Sequence, residues 1–330
     1  MRIHRGSFDS IKPIIGRHAV SLGTFDGVHR GHQAILQELR EVASRSDLAG
    51  AVAVTFGLHP RSVISERGAP PSITNLEERI GLLAATGIDD LVVLEFDEAL
   101  SRVEYDAFVG DLLVRRLGMT HFVLGHDVHF GRERRGNAIS VAALGEAIGF
   151  NVSQVASVRD TGLAISSTRI REALVAGEMD DAVSWAGHPI PFSGVVGRGR
   201  ELGRQLGFPT ANLPVPADKI ALARGVYAGW ARQEDRWIPT VANLGHAPTI
   251  GSGGPLRLEA HILDFDAELY GEQLELALGT RLRAEKKFSS QGELVEAVAA
   301  DCARARSWTE DPPDFADPRR LGDLTTPGAA

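Results

Sequence analysis

His29 and His32 lie three residues apart at the end of the run Gly23-Thr24-Phe25-Asp26-Gly27-Val28-His29-Arg30-Gly31-His32, and an apolar periodic segment follows at once. Read as a strand end leading into a helix, the run puts both imidazoles on one face of the first helical turn. The unbonded N–H groups of that turn favour an anion, and the helix dipole adds about 0.3–1 kcal/mol. Two imidazole donors beside it would stabilise the extra charge of a transferring phosphoryl group. Gly23, Gly27 and Gly31 let the backbone approach a ligand where a Cβ would block it. A pair of surface histidines at a helix start is the plain alternative. Zinc is a weaker rival, because the pair offers only two ligands and the His-Glu-x-x-His spacing is absent.

A second signal is Ile165-Ser166-Ser167-Thr168-Arg169-Ile170-Arg171, again just ahead of a helical run. The hydroxyls of Ser167 and Thr168 with Arg171 one turn on would grip a polyphosphate, and a simple Ser/Thr N-cap is the other reading. Further along, Gly207-Phe208-Pro209-Thr210-Ala211-Asn212 reads as an extended segment. Thr210 and Asn212 then point to one side, where their oxygens can hold a hard cation such as Mg²⁺. A solvated strand face would look the same. Glu259, in Arg257-Leu258-Glu259-Ala260-His261, shares a parity with His261. A carboxylate facing an open site there could take a proton from a substrate hydroxyl, or it could be an exposed strand residue. Gly197-Arg198-Gly199-Arg200-Glu201-Leu202-Gly203 misses the dinucleotide fingerprint at Leu202, and no Gly-x-x-x-x-Gly-Lys-Ser/Thr loop occurs in the chain. An ordinary P-loop kinase is thereby excluded.

The elements that must position these groups follow from periodicity. Apolar runs at 19–25, 51–56, 90–96, 121–125 and 151–158 alternate with helical patterns at 31–45, 75–87 and 105–118. The apolar residues fall on both parities, as in strands covered on both faces, so the expectation is a doubly wound parallel sheet. The pattern changes at Ala186-Gly-His-Pro-Ile-Pro-Phe-Ser-Gly194. Beyond it, short strand-like pieces with Gly and Pro turns suggest an antiparallel barrel, closed by a helix over about 291–306. The expected domains are 1–186 and 187–308, with a disordered tail at 309–330 that has almost nothing to bury.

Length and charge agree with two soluble domains: 330 residues, 43% apolar, 24% charged, net charge −8. That balance argues against non-specific nucleic-acid binding, so any phosphate site is local. One cysteine, Cys302, permits neither an intrachain disulfide nor a multi-cysteine metal site. The start MRIHRGSFDS has no secretory core, and the longest uncharged stretch, Trp237 to Leu256, holds three prolines and four glycines. A cytoplasmic protein without a membrane span is expected.

The order GTFDGVHRGHQAIL, TFGLHPRSVI, LGHDVHFGRERRGN and ISSTRIREAL resembles the adenylyltransferase half of bifunctional bacterial riboflavin kinase/FAD synthetases, a branch of the HxGH nucleotidyltransferases, over about residues 15–180. GRGRELGRQLGFPTANL, GVYAG, ANLGHAPTIG, LEAHILDFDAELYGEQL and LRAEKKF resemble the riboflavin kinase module over about 190–306. The resemblance implies an α/β doubly wound nucleotidyltransferase domain followed by a six-stranded antiparallel β-barrel kinase domain. It implies ATP beside Gly23, Phe25, His29, Gly31 and His32, with Ser167, Thr168 and Arg171 on its phosphates, and FMN near Phe56, His59 and Asp127. In the kinase module it implies Mg²⁺-ATP on Thr210 and Asn212, the glycine-rich stretch with Gly197, Gly203 and Gly207 over the nucleotide, and Glu259 activating the riboflavin hydroxyl. The chain departs from the family at Leu58 and Val128, where proline and an aromatic are usual, and at Ala247, where arginine is common. Two rivals follow: a kinase with an impaired adenylyltransferase site, and a flavin-binding protein without turnover.

Overall fold

The computed structural model describes residues 1–199, 202–246 and 254–309. The described residues form two units: Met1–Pro70 with Arg79–Ser166, and Pro71–Glu78 with the described residues from Ser167 to Thr309. The first unit is built on strands β1 (Arg2–Gly6), β2 (His18–Leu22), β3 (Gly50–Phe56), β4 (Asp90–Leu94), β5 (Met119–Gly125) and β6 (Asn151–Val155). They lie in the order β1-β4-β3-β2-β5-β6, and every neighbouring pair is parallel. All residues of β2, β3 and β4 are buried, which is why their apolar residues occupy both parities.

Helix Arg30–Arg45 connects β2 to β3, and Ala138–Ile148 connects β5 to β6. Phe108–Arg116, where an α-helix was expected, runs as a π-helix. From β2 the chain moves outward through β3 and β4, then crosses back to β5 on the other flank of β2. Strand order therefore reverses between β2 and β5. In open α/β sheets ligands gather outside the carboxyl ends of the strands at such a point. The histidine run follows β2 there, and His126-Asp127 follows β5.

Strand β1 has no counterpart among the sequence expectations. It is an edge strand with a single large apolar residue, Ile3, so it carries no periodic signal. Its anchor lies in β4: Arg2 donates to Asp90 Oδ2 at 2.7 Å and His4 Nε2 lies 2.8 Å from Asp90 Oδ1.

A short antiparallel ribbon of β7 (Arg159–Asp160) and β8 (Leu163–Ala164) follows β6. In the second unit, β9 (Ile190–Val195), β10 (Ala211–Pro214), β11 (Gly225–Gln233), β12 (Arg236–His246), β13 (Leu256–Ile262) and β14 (Gln273–Ala284) form an antiparallel sheet ordered β10-β13-β12-β11-β14-β9. Its two edges approach where a Cβ on Gly194 would stand 3.6 Å from Leu213 Cδ2, so the barrel is nearly closed. Helix Gln291–Trp308, capped by Ser290, covers a core of Val226, Ala228, Val241 and Leu263 with its Cys302 and Ala305.

The division at Ser166/Ser167 lies upstream of the change in sequence pattern near 186. Helices Ser167–Ala176 and Met179–Ala186 belong with the barrel strands, tied by Ala223 N–H to the Leu174 carbonyl at 2.9 Å. The segment Pro71–Glu78 is held in the same unit by a buried ion pair between Glu78 and Lys219. The tail beyond Thr309 lies outside the described residues, as do Arg200, Glu201 and Ala247. Among the described residues no helix is long and apolar enough to cross a membrane.

Candidate active sites

Between β2 and its helix the backbone turns through three positive φ angles: Phe25 at 49°, Gly27 at 77° and Val28 at 36°. For glycine this is ordinary, but for β-branched Val28 it is strained, and such strain survives only where the surroundings over-determine it. Phe25, Asp26 and Val28 are buried. His29 is the N-cap of helix Arg30–Arg45, and its Nδ1 accepts the backbone N–H of His32 at 3.4 Å. In the neutral ring Nε2 then carries the proton. The two imidazoles stack with centroids 3.7 Å apart and planes 18° from parallel, and Phe25 meets His32 edge-on at 5.3 Å. Gly31 makes the stack possible, since a Cβ there would sit 3.1 Å from the His29 ring. A Cβ on Gly23 would likewise stand 3.1 Å from the Phe25 ring.

Burial, reinforced by the charge of Arg79, pushes the His32 pKa down to about 3. His32 is therefore a neutral imidazole throughout the physiological range. A neutral ring can donate a hydrogen bond to a phosphate oxygen without carrying a charge of its own.

The other expected residues of this half fall in different places. The Ile165 carbonyl lies 3.7 Å from where a Gly31 Cβ would be, which brings the chain leading into Ser167 next to the histidine turn within the first unit. Ser167, Thr168 and Arg171 themselves open helix Ser167–Ala176 in the second unit, where Arg171 Nε donates to the Pro71 carbonyl at 2.7 Å. Phe56 is a core residue, edge-on to Phe96 at 5.3 Å. His59 Nδ1 accepts from the Arg61 N–H in an exposed turn after β3, with Leu58 63% exposed beside it. Asp127 is exposed after β5, whereas Val128 packs against the core of the unit.

In the barrel, Thr210 and Asn212 line a cleft of about 350 Å³ together with Arg204, Ala260, Phe265 and Tyr270. The glycine-rich segment folds directly onto these residues. Gly197 N–H donates to the Asn212 carbonyl at 2.8 Å, and a Cβ on Gly199 would come within 2.5 Å of Asn212 Nδ2. A Cβ on Gly203 would collide with the Phe208 carbonyl, and Gly207 has a φ of +85°. Asn212 Nδ2 donates to the Thr210 carbonyl at 3.3 Å, while Asn212 Oδ1 is buried with no partner among the described residues. A buried amide oxygen beside a threonine hydroxyl is a hard, neutral donor pair that fits a divalent cation keeping its remaining ligands from water and phosphate. Among the described residues no group of three His, Cys, Asp or Glu could form a protein-only metal cage.

Glu259 on β13 stands directly opposite Asn212 on β10 and opposite Asn243 on β12. Directly opposed residues project to the same side of a sheet, so the three form one row, with Glu259 half-buried between two amides. Sequence reasoning missed two supports. His261 donates from Nδ1 to the Pro209 carbonyl at 2.8 Å and meets Phe208 edge-on, which steadies the turn into Thr210. Arg79 lies under the histidine loop, bonded to backbone carbonyls far away in sequence, so no local motif marks it.

Family models described as FAD synthetase and riboflavin kinase match residues 12–169 and 186–309. A bifunctional riboflavin kinase/FMN adenylyltransferase of Escherichia coli K12 is 36% identical over 290 residues, 88% of this chain and 92% of the relative. That of Pseudomonas fluorescens is 36% identical over 307 residues, 93% of this chain and 97% of the relative. A solved structure named as a macrolide-efflux protein from Streptococcus pneumoniae is similar over 94% of this chain and all of its own, at 28% identity and a TM-score of 0.82.

Proposed function

The chain belongs to the bifunctional riboflavin kinase/FMN adenylyltransferases, and we propose that its two reactions use separate sets of residues, one in each unit for the groups that do the chemistry. The protein phosphorylates riboflavin to FMN with ATP and adenylylates FMN to FAD with a second ATP, releasing pyrophosphate. The observation that carries the assignment is the distribution of the two motif sets: His29 and His32 fall in the first unit, and Thr210, Asn212 and Glu259 in the second.

In the kinase step Glu259 accepts the proton of the riboflavin 5′-hydroxyl as that oxygen bonds the γ-phosphorus of ATP and the bond to the β-phosphate oxygen breaks, leaving ADP. Thr210 and Asn212 would hold Mg²⁺ through the hydroxyl and the buried amide Oδ1. When bound, the ion neutralises phosphate charge and orients the triphosphate. Gly197, Gly199, Gly203 and Gly207 let the covering loop lie close to the nucleotide.

In the adenylyl step an FMN phosphate oxygen bonds the α-phosphorus of ATP and the bond to the β-phosphate oxygen breaks. No covalent enzyme intermediate is required. His29 and His32 donate hydrogen bonds to the phosphate oxygens as charge builds there, and the helix start adds backbone donors. Ser167, Thr168 and Arg171 are the phosphate-binding residues of this reading, and Gly23, Phe25 and Gly31 shape the nucleotide seat. Phe56, His59 and Asp127 border the flavin. A cytoplasmic location and the absence of nucleic-acid partners belong to this reading, supported by the net charge of −8 and the lone, buried Cys302.

The test is a chromatographic time course of riboflavin, FMN and FAD after mixing the protein with riboflavin and excess Mg²⁺-ATP. FMN followed by FAD is expected. FMN accumulating without FAD would leave only the kinase standing, and unchanged riboflavin would reduce the chain to a flavin binder.

A further inference from the structure

Arg79 is 5% exposed. Its Nη1 donates to the Thr24 carbonyl at 2.9 Å and its Nη2 to the Phe56 carbonyl at 2.7 Å, with a longer contact to Gly57 at 3.5 Å. One guanidinium thus spans the first residue of the strained histidine loop and the end of β3. The Thr24 carbonyl is held a second time by the Thr55 hydroxyl at 3.1 Å, and the far end of the loop by Gln33 Nε2 on the Val28 carbonyl at 2.8 Å. Between these ties lie the positive φ angles of Phe25, Gly27 and Val28.

Every hydrogen bond recorded for Arg79 goes to a backbone carbonyl, and its buried Nε has no partner among the described residues. A cation buried without a directly bonded carboxylate is a costly way to fill space, and apolar residues of similar volume commonly do that as well or better. Burial lowers the Arg79 pKa, and the buried Asp26 nearby opposes the shift. What the guanidinium supplies that an apolar residue cannot is a planar fork fixing two separate backbone segments.

We propose that Arg79 is a positioning residue for adenylyl transfer, clamping the Thr24–Val28 loop to the end of β3 so that the stacked His29–His32 pair is presented to the nucleotide. The inference rests on placing adenylyl transfer at that histidine pair. Lysine would serve the clamp less well, because its compact ammonium lacks the planar fork that reaches both carbonyls.

The experiment uses the full chain. FAD formation from supplied FMN and Mg²⁺-ATP is measured for Arg79→Lys, Arg79→Met and His32→Ala, with riboflavin phosphorylation in the same preparations as a check on folding. Misplaced reacting groups cost rate rather than affinity, so kcat for FAD formation should fall by about tenfold in Arg79→Lys and about 10²-fold in Arg79→Met. KM for FMN and ATP should stay within about threefold, and the kinase rate should not move. Wild-type kcat in Arg79→Lys overturns the inference. So does a loss confined to KM, or a parallel loss of both activities in both variants with a lowered unfolding midpoint. If His32→Ala itself forms FAD at the wild-type rate, the placement of the reaction fails. If His32→Ala is impaired while Arg79→Lys is not, only the role of Arg79 fails.

Discussion

At the end of β2 the backbone is bent through positive φ at Phe25, Gly27 and Val28, whereas Asn212 sits in the regular antiparallel ladder of β10 and β13, with Thr210 immediately before β10. The first arrangement depends on a buried cation, two stacked rings and residues brought in from β3 and from helix Leu76–Ala85. In the second, strand register alone sets Asn212, Glu259 and Asn243 in one row, and the neighbouring glycines cover it. A strained loop needs many distant supports to hold its groups. A ladder supplies its own positions through backbone hydrogen bonds, so fewer outside residues matter to it.

The sharpest way to break this comparison is to disable one site and watch the other. Glu259→Gln keeps the shape and removes the base, so FMN formation should fall by about 10²–10⁴-fold while adenylylation of supplied FMN continues. His32→Ala should do the reverse, lowering FAD formation by about 10²–10³-fold, the scale seen when a donor to developing charge is removed. Equal damage to both steps by either substitution would refute separate sites. A finer probe is Gly199→Ala. Its Cβ would stand 2.5 Å from Asn212 Nδ2 and must push that side chain off its position. FMN formation should drop by about tenfold with FAD formation from supplied FMN unaffected, and steady-state rates of both steps decide it.

The smallest effect concerns stability. The folded His32 has its pKa lowered to about 3 from 6.5, so above pH 6.5 it makes no difference to folding free energy. As pH falls from 6.5 toward 3, the unfolded chain takes the proton first, and the folded state loses about 1.4 kcal/mol per pH unit from this group. Denaturant unfolding of wild type and His32→Asn between about pH 5.5 and about pH 4 should show a shallower pH slope in the variant by roughly that amount. Parallel slopes would mean that His32 titrates normally in the folded protein.

Much of this was legible in the chain. The strands β2 to β6 and β9 to β14 follow apolar runs and Gly/Pro breaks, and the histidine pair, the Thr210–Asn212 pair and Glu259 lie in short linear motifs. Strand β1 was not legible, because one apolar residue gives no period and its anchor, Asp90, lies in another strand. Arg79 was not legible either. Within LEERIGLL it looks like an exposed helix charge, and only the folded chain brings it to the carbonyls of Thr24 and Phe56.

The succession of strands and helices and the spacing of the two motif sets are written in the chain, because hydrophobic period, turn residues and donor spacing are local properties. Packing supplied the rest. It made His32 a neutral ring through burial beside Arg79, it set Glu259 between Asn212 and Asn243 through strand register, and it grouped helices Ser167–Ala176 and Met179–Ala186 with the barrel strands. Each depends on desolvation or on hydrogen bonds between residues far apart in sequence, and neither exists until the chain has packed.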